Sequence, residues 1–161
     1  MNRRFWSGKR TFVTGHTGFK GSWLCAWLLD AGAAVSGYAL PPDGERALYA
    51  DALLERDIAS TYGDIRDVRV LTDALRASKA EIVFHLAAQP LVRESYARPL
   101  ETFAVNVVGT ANLLDATRAT QSARAVVVVT SDKCYATAAS DRRHPEEDPM
   151  GGDDPYSASK A

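Results

Sequence analysis

The segment from residue 10 to residue 31 constrains the fold more than any other part of the sequence. An apolar run over Arg10–Thr14 predicts a strand, helical spacing over Lys20–Ala31 predicts a helix, and three glycines (15, 18 and 21) lie between or just inside them. Glycines at this spacing allow a tight turn, let a pyrophosphate approach the backbone, and direct a helix N-terminus at it. The pattern G-x-x-G-x-x-G therefore favours a dinucleotide-binding turn, with a plain glycine-rich strand–helix turn as the alternative.

The rest of the chain continues the alternation of strands and helices. Further strands are predicted at Ala34–Ala39, Ala59–Tyr62, Ile82–Ala87 and Ala125–Thr130. Further helices are predicted at Arg46–Arg56, Val68–Ser78 and Leu100–Ala119, with another beginning after Asp153-Asp154-Pro155, and loops at 41–44 and 136–155. This order predicts an α/β fold, a Rossmann-type doubly wound parallel sheet with helices on both faces. Four consecutive valines in the last strand suit burial on both faces.

Composition argues against several classes of protein. The 161 residues are 46% hydrophobic and 24% charged, which is typical of one soluble globular domain. The formal net charge of -1 argues against a nucleic-acid surface, and no apolar stretch approaches a membrane span. The basic N-terminus lacks the apolar segment of a signal peptide. Two cysteines and three scattered histidines indicate a reducing cytoplasm and no metal site.

Small and polar residues follow the predicted strands, at the sheet edge where open α/β folds bind ligands. After the third strand, Asp64 could accept a hydrogen bond from an adenine amino group, although a turn or helix-cap aspartate is the commoner use. After the fourth strand, Ala87 and Ala88 would allow close approach of a cofactor, with simple packing as the alternative. The fifth strand ends in the sequence Thr-Ser-Asp-Lys at 130–133.

Tyr156 and Lys160 are four residues apart in the last predicted helix, so they lie on one helix face. A lysine ammonium beside a phenol stabilises the phenolate and lowers its pKa. Such a phenolate can take a proton from a sugar hydroxyl while a hydride leaves the same carbon. A helix-surface pair is the alternative for this spacing on its own.

Together these motifs resemble those of the extended short-chain dehydrogenases/reductases, over residues from about Phe5 to Ala161. Five segments are more similar still to CDP-glucose 4,6-dehydratases: residues 12–23 (FVTGHTGFKGSW), 37–42 (GYALPP), 63–67 (GDIRD), 84–93 (FHLAAQPLVR) and 130–135 (TSDKCY). The resemblance implies bound NAD and CDP-glucose as substrate. It also implies oxidation at C4 of the sugar, loss of water across C5 and C6, and hydride return to C6, giving CDP-4-keto-6-deoxyglucose.

The resemblance implies roles for individual residues. Tyr156 would take the proton of the C4 hydroxyl, and Ser131 or Thr130 would hold the C4 oxygen. Asp132 would protonate the leaving C6 oxygen. Lys133, where many relatives carry a glutamate, would remove the C5 proton or only orient Asp132 or a phosphate. The residues implied to be catalytic are Ser131, Asp132, Lys133, Tyr156 and Lys160; those implied to bind the cofactor are Gly15, His16, Thr17, Gly18, Phe19, Lys20, Gly21, Asp64, Ile65, Leu86, Ala87, Ala88, Gln89, Asn106, Thr130, Tyr156 and Lys160.

The sequence alone leaves several alternatives to this hypothesis open. The second predicted strand ends without an acid for the adenosine ribose, so the sequence alone does not exclude NADP. Within the family, the alternative is an epimerase or a dehydratase of GDP-, UDP- or dTDP-sugars; Asp132 beside Ser131 favours dehydration. Outside it, the alternative is a non-catalytic dinucleotide-binding module.

Extended members of the family bind the nucleotide with a C-terminal domain, which residues 1–161 lack. We therefore expect one NAD-binding domain over 1–161, cut at the catalytic tyrosine–lysine helix and inactive alone. The resemblance further implies a cytoplasmic homodimer of the full-length protein, formed through the long helix and the catalytic-tyrosine helix, and a role in deoxysugar and polysaccharide biosynthesis.

Overall fold

The sheet in the computed structural model, which describes residues 2–42, 47–136 and 143–161, is fully parallel. Its strands lie in the order β3-β2-β1-β4-β5. The strands are Arg10–Thr14 (β1), Ala34–Ala39 (β2), Ala59–Tyr62 (β3), Ile82–His85 (β4) and Ala125–Val128 (β5). The strand order reverses between β1 and β4, and this is the position where open α/β sheets form a ligand crevice.

Helices occupy most of the connections between strands. The long predicted helix is confirmed in extent, from residue 99 to 120, but it contains a π turn at Ala104–Val108. Short 3₁₀ turns occur at Leu54–Arg56 and Asp132–Cys134. The α-helices are Arg3–Trp6 (α1), Phe19–Asp30 (α2), Leu48–Asp51 (α3), Val68–Ser78 (α4), Val92–Ala97 (α5), Pro99–Phe103 (α6), Gly109–Thr120 (α7) and Pro155–Ala158 (α8).

Two hydrophobic cores lie on opposite faces of the sheet. Neighbouring residues of β1 point in opposite directions, so Phe12 packs with Leu71 of α4 and Leu113 of α7, while Val13 packs with Leu28 of α2. Each such buried side chain contributes about 1.5–3 kcal/mol relative to exposure. The predicted doubly wound sheet with helices on both faces is therefore confirmed.

The expectation that the valine-rich strand is buried on both faces is wrong. The exposed fractions of Val126–Val129 are between 36% and 45%. In the described part of the chain, β4 is the only strand that pairs with β5, which makes β5 an edge strand. The valine run correctly indicates a strand, but burial depends on neighbours that the run itself does not encode.

Several boundaries differ from the predictions for local reasons. The predicted strand 82–87 ends at His85, because the N–H groups of Leu86 and Ala87 donate to the hydroxyl of Thr14. The fifth strand ends at Val128 rather than at residue 130. The predicted helix 46–56 is divided into α3 and a 3₁₀ turn by Leu53, whose φ of 53° is left-handed. Helix α5, in the predicted 88–99 gap, and helix α1 were not predicted.

Parts of two predicted loops and the start of one predicted helix, at residues 43–46 and 137–142, lie outside the described residues. Within the described ranges, no helix has both the length and the apolar character needed to cross a membrane.

Substitution of a core leucine tests the assignment of the α4 core. Leu75 is fully buried against the sheet, whereas Leu100 is 87% exposed at the start of the long helix. We expect Leu75→Ala to lower the free energy of unfolding by about 2–5 kcal/mol through cavity formation. The control, Leu100→Ala, should change it by about 0.5 kcal/mol or less. Urea unfolding measures both, and equal losses would contradict the assigned core.

Candidate active site

The glycine turn between β1 and α2 is built by backbone contacts that admit no side chain. A Cβ added to Gly15, whose φ is 74°, would lie 2.8 Å from the nitrogen of Ala87. A Cβ added to Gly21 would lie 2.0 Å from the carbonyl oxygen of Gly15. At Gly18, by contrast, the nearest atom is the Gly15 oxygen at 3.4 Å, and no side chain caps the N-terminus of α2. The turn therefore fits a pyrophosphate, which could approach Gly18 and the first amides of α2.

The imidazole of His16 lies beneath this turn and is fully buried. Its Nε2 is 3.0 Å from the hydroxyl of Ser60, and the ring packs edge-on against Tyr49. A Cβ on Gly37 would lie 2.4 Å from the ring, so a glycine in β2 provides the space for it. Burial lowers the pKa of His16 to about 4. A contact of this residue with a dinucleotide would therefore come from its backbone.

Three other residues of the turn that were predicted to bind the cofactor have their side chains at its surface. Thr17 donates to the carbonyl oxygen of Leu40 at 2.9 Å and so ties the turn to the end of β2. Phe19 is 72% exposed, and Lys20 is also exposed. These positions leave Phe19 and Lys20 accessible from the sheet edge.

A partly buried acid follows β3, and a buried hydrophobic residue comes next. Asp64 accepts hydrogen bonds from the backbone and the guanidinium of Arg66 at 2.5–2.9 Å. These bonds lower the pKa of Asp64 and orient its carboxylate. Ile65 packs in the core, against the position where Gly109 has no side chain. Asp64 thus presents an ionised side chain, whereas Ile65 could face a cofactor only through its backbone.

A buried histidine connects the ends of β1 and β4 with the long helix. The hydroxyl of Thr110 in the long helix donates to the carbonyl oxygen of Asn106, so it accepts from Nε2 of His85, 2.9 Å away. Nδ1 of the neutral ring then accepts from the hydroxyl of Thr14, 2.7 Å away. His85 is neutral because burial, and secondarily the charge of Lys160, lower its pKa to about 4.

The loop after β4 is held by the carboxamide of Asn106, inside the π turn. Its Oδ1 accepts from the backbone N–H of Gln89 at 2.8 Å, and its Nδ2 donates to the Gln89 carbonyl at 3.1 Å. The side chain of Gln89 is bonded to Leu91 and Thr102. Gln89 and Asn106 were predicted to bind the cofactor, and the structure shows that their side chains organise this loop. Leu86 and Ala87 pack beside the two cores.

Helix α8 begins at Pro155, and the side chain of Asp154 caps its N-terminus. Asp154 accepts from the backbone N–H of Ser157 at 2.9 Å and from its hydroxyl at 2.6 Å, which satisfies one free amide of the first turn. Lys160, just after α8, has its ammonium 3.5 Å from the carbonyl oxygen of Val129, at the end of β5. Burial lowers the pKa of Lys160. The tyrosine–lysine segment is thus brought to the end of the fifth strand.

The residues after β5 form the 3₁₀ turn that faces α8. Ser131 caps this turn by accepting from the backbone N–H of Lys133 at 3.2 Å. Asp132 and Lys133 are exposed, as is Thr130. Beside the turn lies a polar cavity of about 320 Å³, which sequence analysis missed because most of its lining comes from the segment read only as a loop; it is lined by Asp132, Lys133, Tyr135, Ala136, His144, Gly152, Asp153, Asp154 and Ser157. Among the described residues, no cluster with the composition of a metal site occurs.

Known proteins share this arrangement. A family model described as GDP-mannose 4,6 dehydratase matches residues 12–161. The CDP-glucose 4,6-dehydratase of Salmonella typhimurium is 50% identical over 160 residues, which cover 99% of this chain and 45% of that protein. A UDP-glucose 4-epimerase of Mycolicibacterium smegmatis is 35% identical over 153 residues, covering 94% of this chain and 48% of the relative.

Solved structures agree at the level of the fold. MoeE5 in complex with UDP-glucose and NAD has a TM-score of 0.77 at 30% identity, covering 95% of this chain and 46% of that one. The UDP-glucose 4-epimerase from Brucella ovis in complex with NAD has a TM-score of 0.80 at 28% identity, covering 95% and 45%.

The fold and the glycine turn thus define a Rossmann-type domain of the epimerase and dehydratase kind. The match over residues 12–161 shows that the chain belongs to the GDP-mannose 4,6-dehydratase family. The chain spans a little under half the length of the relatives described above.

The two buried histidines predict how the stability of the fold depends on pH. His16 and His85 have pKa values of about 4 when folded, against 6.5 for a free side chain, so the unfolded chain binds more protons between these values. Stability should therefore be complete above pH 6.5 and be lost as the pH falls towards 4. The loss at pH 4 is on the order of 3 kcal/mol for each histidine.

Urea unfolding at pH 7 and pH 5 measures this loss. The His85→Gln variant should show a smaller difference between the two pH values than the unmodified chain. The variant Leu100→Ala, at an exposed residue without a titratable group, should keep the full difference. Equal stability at pH 7 and pH 5 would show that the buried histidines accept protons in the folded state.

Proposed function

We propose that this chain is the NAD-binding part of a nucleotide-sugar 4,6-dehydratase, and that the whole protein converts CDP-glucose to CDP-4-keto-6-deoxyglucose. The observation that carries the proposal is the contact of the Lys160 ammonium with Val129 at the end of β5, two residues before Ser131. This contact brings together the two segments that we propose to be catalytic, at the same edge of the sheet as the glycine turn. The 50% identity to a CDP-glucose 4,6-dehydratase supports the choice of substrate.

NAD is the cofactor that we propose for the glycine turn. The open space at Gly18 and the uncapped N-terminus of α2 would receive its pyrophosphate. The carboxylate of Asp64, held ionised by Arg66, would accept a hydrogen bond from the adenine amino group. Bound NAD would supply the oxidation at C4 and the reduction at C6 of the hexose.

The residues around β5 would move the protons of the reaction. Tyr156 would take the proton from the C4 hydroxyl, and the ammonium of Lys160 would favour the phenolate by its charge. Ser131 would donate a hydrogen bond to the C4 oxygen. Asp132 would give a proton to the C6 oxygen as it leaves as water.

Lys133 faces the same cavity as Asp132 and Asp154. Hydrogen bonds from Ser157 are the main cause of the lowered pKa of Asp154, and the charge of Lys133 is the smallest. In the proposed reaction Lys133 would remove the proton at C5, which requires a neutral amine, or hold Asp132 in place as a cation.

Replacement of the tyrosine tests the proposed base. In the whole protein, Tyr156→Phe should reduce turnover of CDP-glucose by about 10²–10⁴-fold, because the proton acceptor is lost. The affinity for NAD should stay within about threefold, since the glycine turn is unchanged. Product formation and NAD titration measure the two effects, and retained turnover would contradict the proposed role of Tyr156.

An epimerase is the second candidate, because UDP-glucose 4-epimerases are among the relatives. The two functions differ at Asp132, since epimerisation at C4 needs no acid for a leaving C6 oxygen. We expect Asp132→Asn in the whole protein to reduce product formation by about 10²-fold or more. Absorbance of reduced nicotinamide should accumulate, because oxidation at C4 continues. Unimpaired turnover together with inversion at C4 would favour the epimerase.

A further inference from the structure

A chain of buried hydrogen bonds leads from the glycine turn to the helix that carries Tyr156. Counting donors and acceptors fixes the direction of the hydrogen bonds around His85. The Thr14 hydroxyl accepts the N–H of Ala87 at 3.1 Å, and the N–H of Leu86 is shared between this hydroxyl and the Thr14 carbonyl, each at 3.2 Å. On the other side of the ring, the hydroxyl of Thr110 gives its hydrogen to the carbonyl of Asn106 and so accepts from Nε2 of His85. Nδ1 of His85 is then the acceptor for the hydroxyl of Thr14, 2.7 Å away. A neutral His85 must then carry its proton on Nε2.

The next bonds continue in the same direction. Nε2 of His85 donates to the hydroxyl of Thr110 at 2.9 Å, and that hydroxyl donates to the carbonyl oxygen of Asn106 at 2.5 Å. Asn106 lies in the π turn, where Gly109 N–H bonds to Ala104, five residues earlier. Such turns are rare and often mark functional sites. The hydroxyl of Thr110 thus holds the backbone of the π turn from the side of the sheet.

The carboxamide of Asn106 carries the chain of bonds on to α8. Its Nδ2 donates to the hydroxyl of Ser159 at 2.8 Å, and this hydroxyl donates to the carbonyl oxygen of Tyr156 at 2.7 Å. Ser159 and Asn106 are both buried. Every donor along this path has an acceptor, so the bonds define a single arrangement rather than several of equal energy.

We propose that His85 and Thr110 are positioning residues for Tyr156: they fix the π turn, and through Asn106 and Ser159 they fix the backbone of the catalytic-tyrosine helix. The effect on turnover rests on the proposed function, whereas the effect on the position of Tyr156 does not. The proposed reaction assigns neither residue a contact with the substrate, so their effect should fall on turnover rather than on binding.

Helix α7 offers a matched pair of threonines for the test. Thr110 and Thr117 each donate a hydroxyl hydrogen bond to the carbonyl four residues earlier. The hydroxyl of Thr110 also accepts from Nε2 of His85, whereas the hydroxyl of Thr117 bonds only within its own helix. Thr110→Val therefore breaks the path, Thr117→Val removes a comparable helix bond elsewhere, and Thr110→Ser keeps the hydroxyl.

The four proteins are compared as whole proteins labelled with ¹⁵N-histidine and ¹³C-tyrosine, the Tyr156 signal being assigned with Tyr156→Phe. In the unmodified protein, His85 should give the spectrum of a neutral ring protonated at Nε2. Thr110→Val should move the His85 and Tyr156 signals and lower kcat for CDP-glucose by about ten- to a hundredfold, with KM within about twofold. Thr110→Ser should restore both signals and kcat, and Thr117→Val should change neither.

Two outcomes overturn the proposal: a Tyr156 signal that is unchanged in Thr110→Val, or a kcat that falls equally in Thr110→Val and Thr117→Val. If the unmodified protein does not convert CDP-glucose, the proposed function fails instead. The Tyr156 signal then still decides whether His85 and Thr110 position the tyrosine.

Discussion

Contact between backbones at the glycine turn is the constraint on which the rest of the structure depends. Gly21 touches the carbonyl of Gly15, and Gly15 touches the exit of β4, so β1, β4 and α2 meet within a few ångströms. The N–H of Gly15 also donates to the carbonyl of Tyr38 at 2.8 Å, which includes β2 in the same junction. Because hard-sphere repulsion rather than attraction limits this junction, any side chain there would separate the strands whose ends form the crevice.

The interior next to that junction is polar, and this is unusual for the centre of a sheet. Thr14, His85 and Asn106 are all buried, and their hydrogen bonds replace the contact with water that burial removes. A buried polar group without a partner costs more than a hydrogen bond contributes, so such a network tolerates few alternative arrangements. The hydrophobic cores determine that the domain folds, whereas the polar groups determine where the strand ends and the long helix lie relative to each other.

Much of the architecture follows from local sequence, and the exceptions share one cause. β1, β2, β3 and α4 have the predicted bounds, because each is an apolar or amphipathic run closed by turn or cap residues. The meeting of the fifth strand end with Lys160 follows from the parallel order of the strands. The inward direction of His16, the internal bonding of Gln89 and the exposure of the β5 valines depend on residues distant in sequence. Periodicity carries no information about such partners, and the space that Gly37 leaves for His16 becomes visible only in the structure.

The edge position of β5 has a consequence for how a preparation of this chain behaves. A strand whose outer backbone groups are open is a template for pairing with any extended peptide, whatever its side chains. Here the template also presents valines on both faces, so the apolar surface and the open hydrogen-bond groups coincide. Self-association at such a strand depends on protein concentration and on unfolded chains nearby. Natural edge strands use lysine or proline to prevent it, and the segment 125–129 contains neither residue. The tendency of this chain to self-associate and its folding stability are therefore separate properties. The first depends on β5, and the second depends on the two cores.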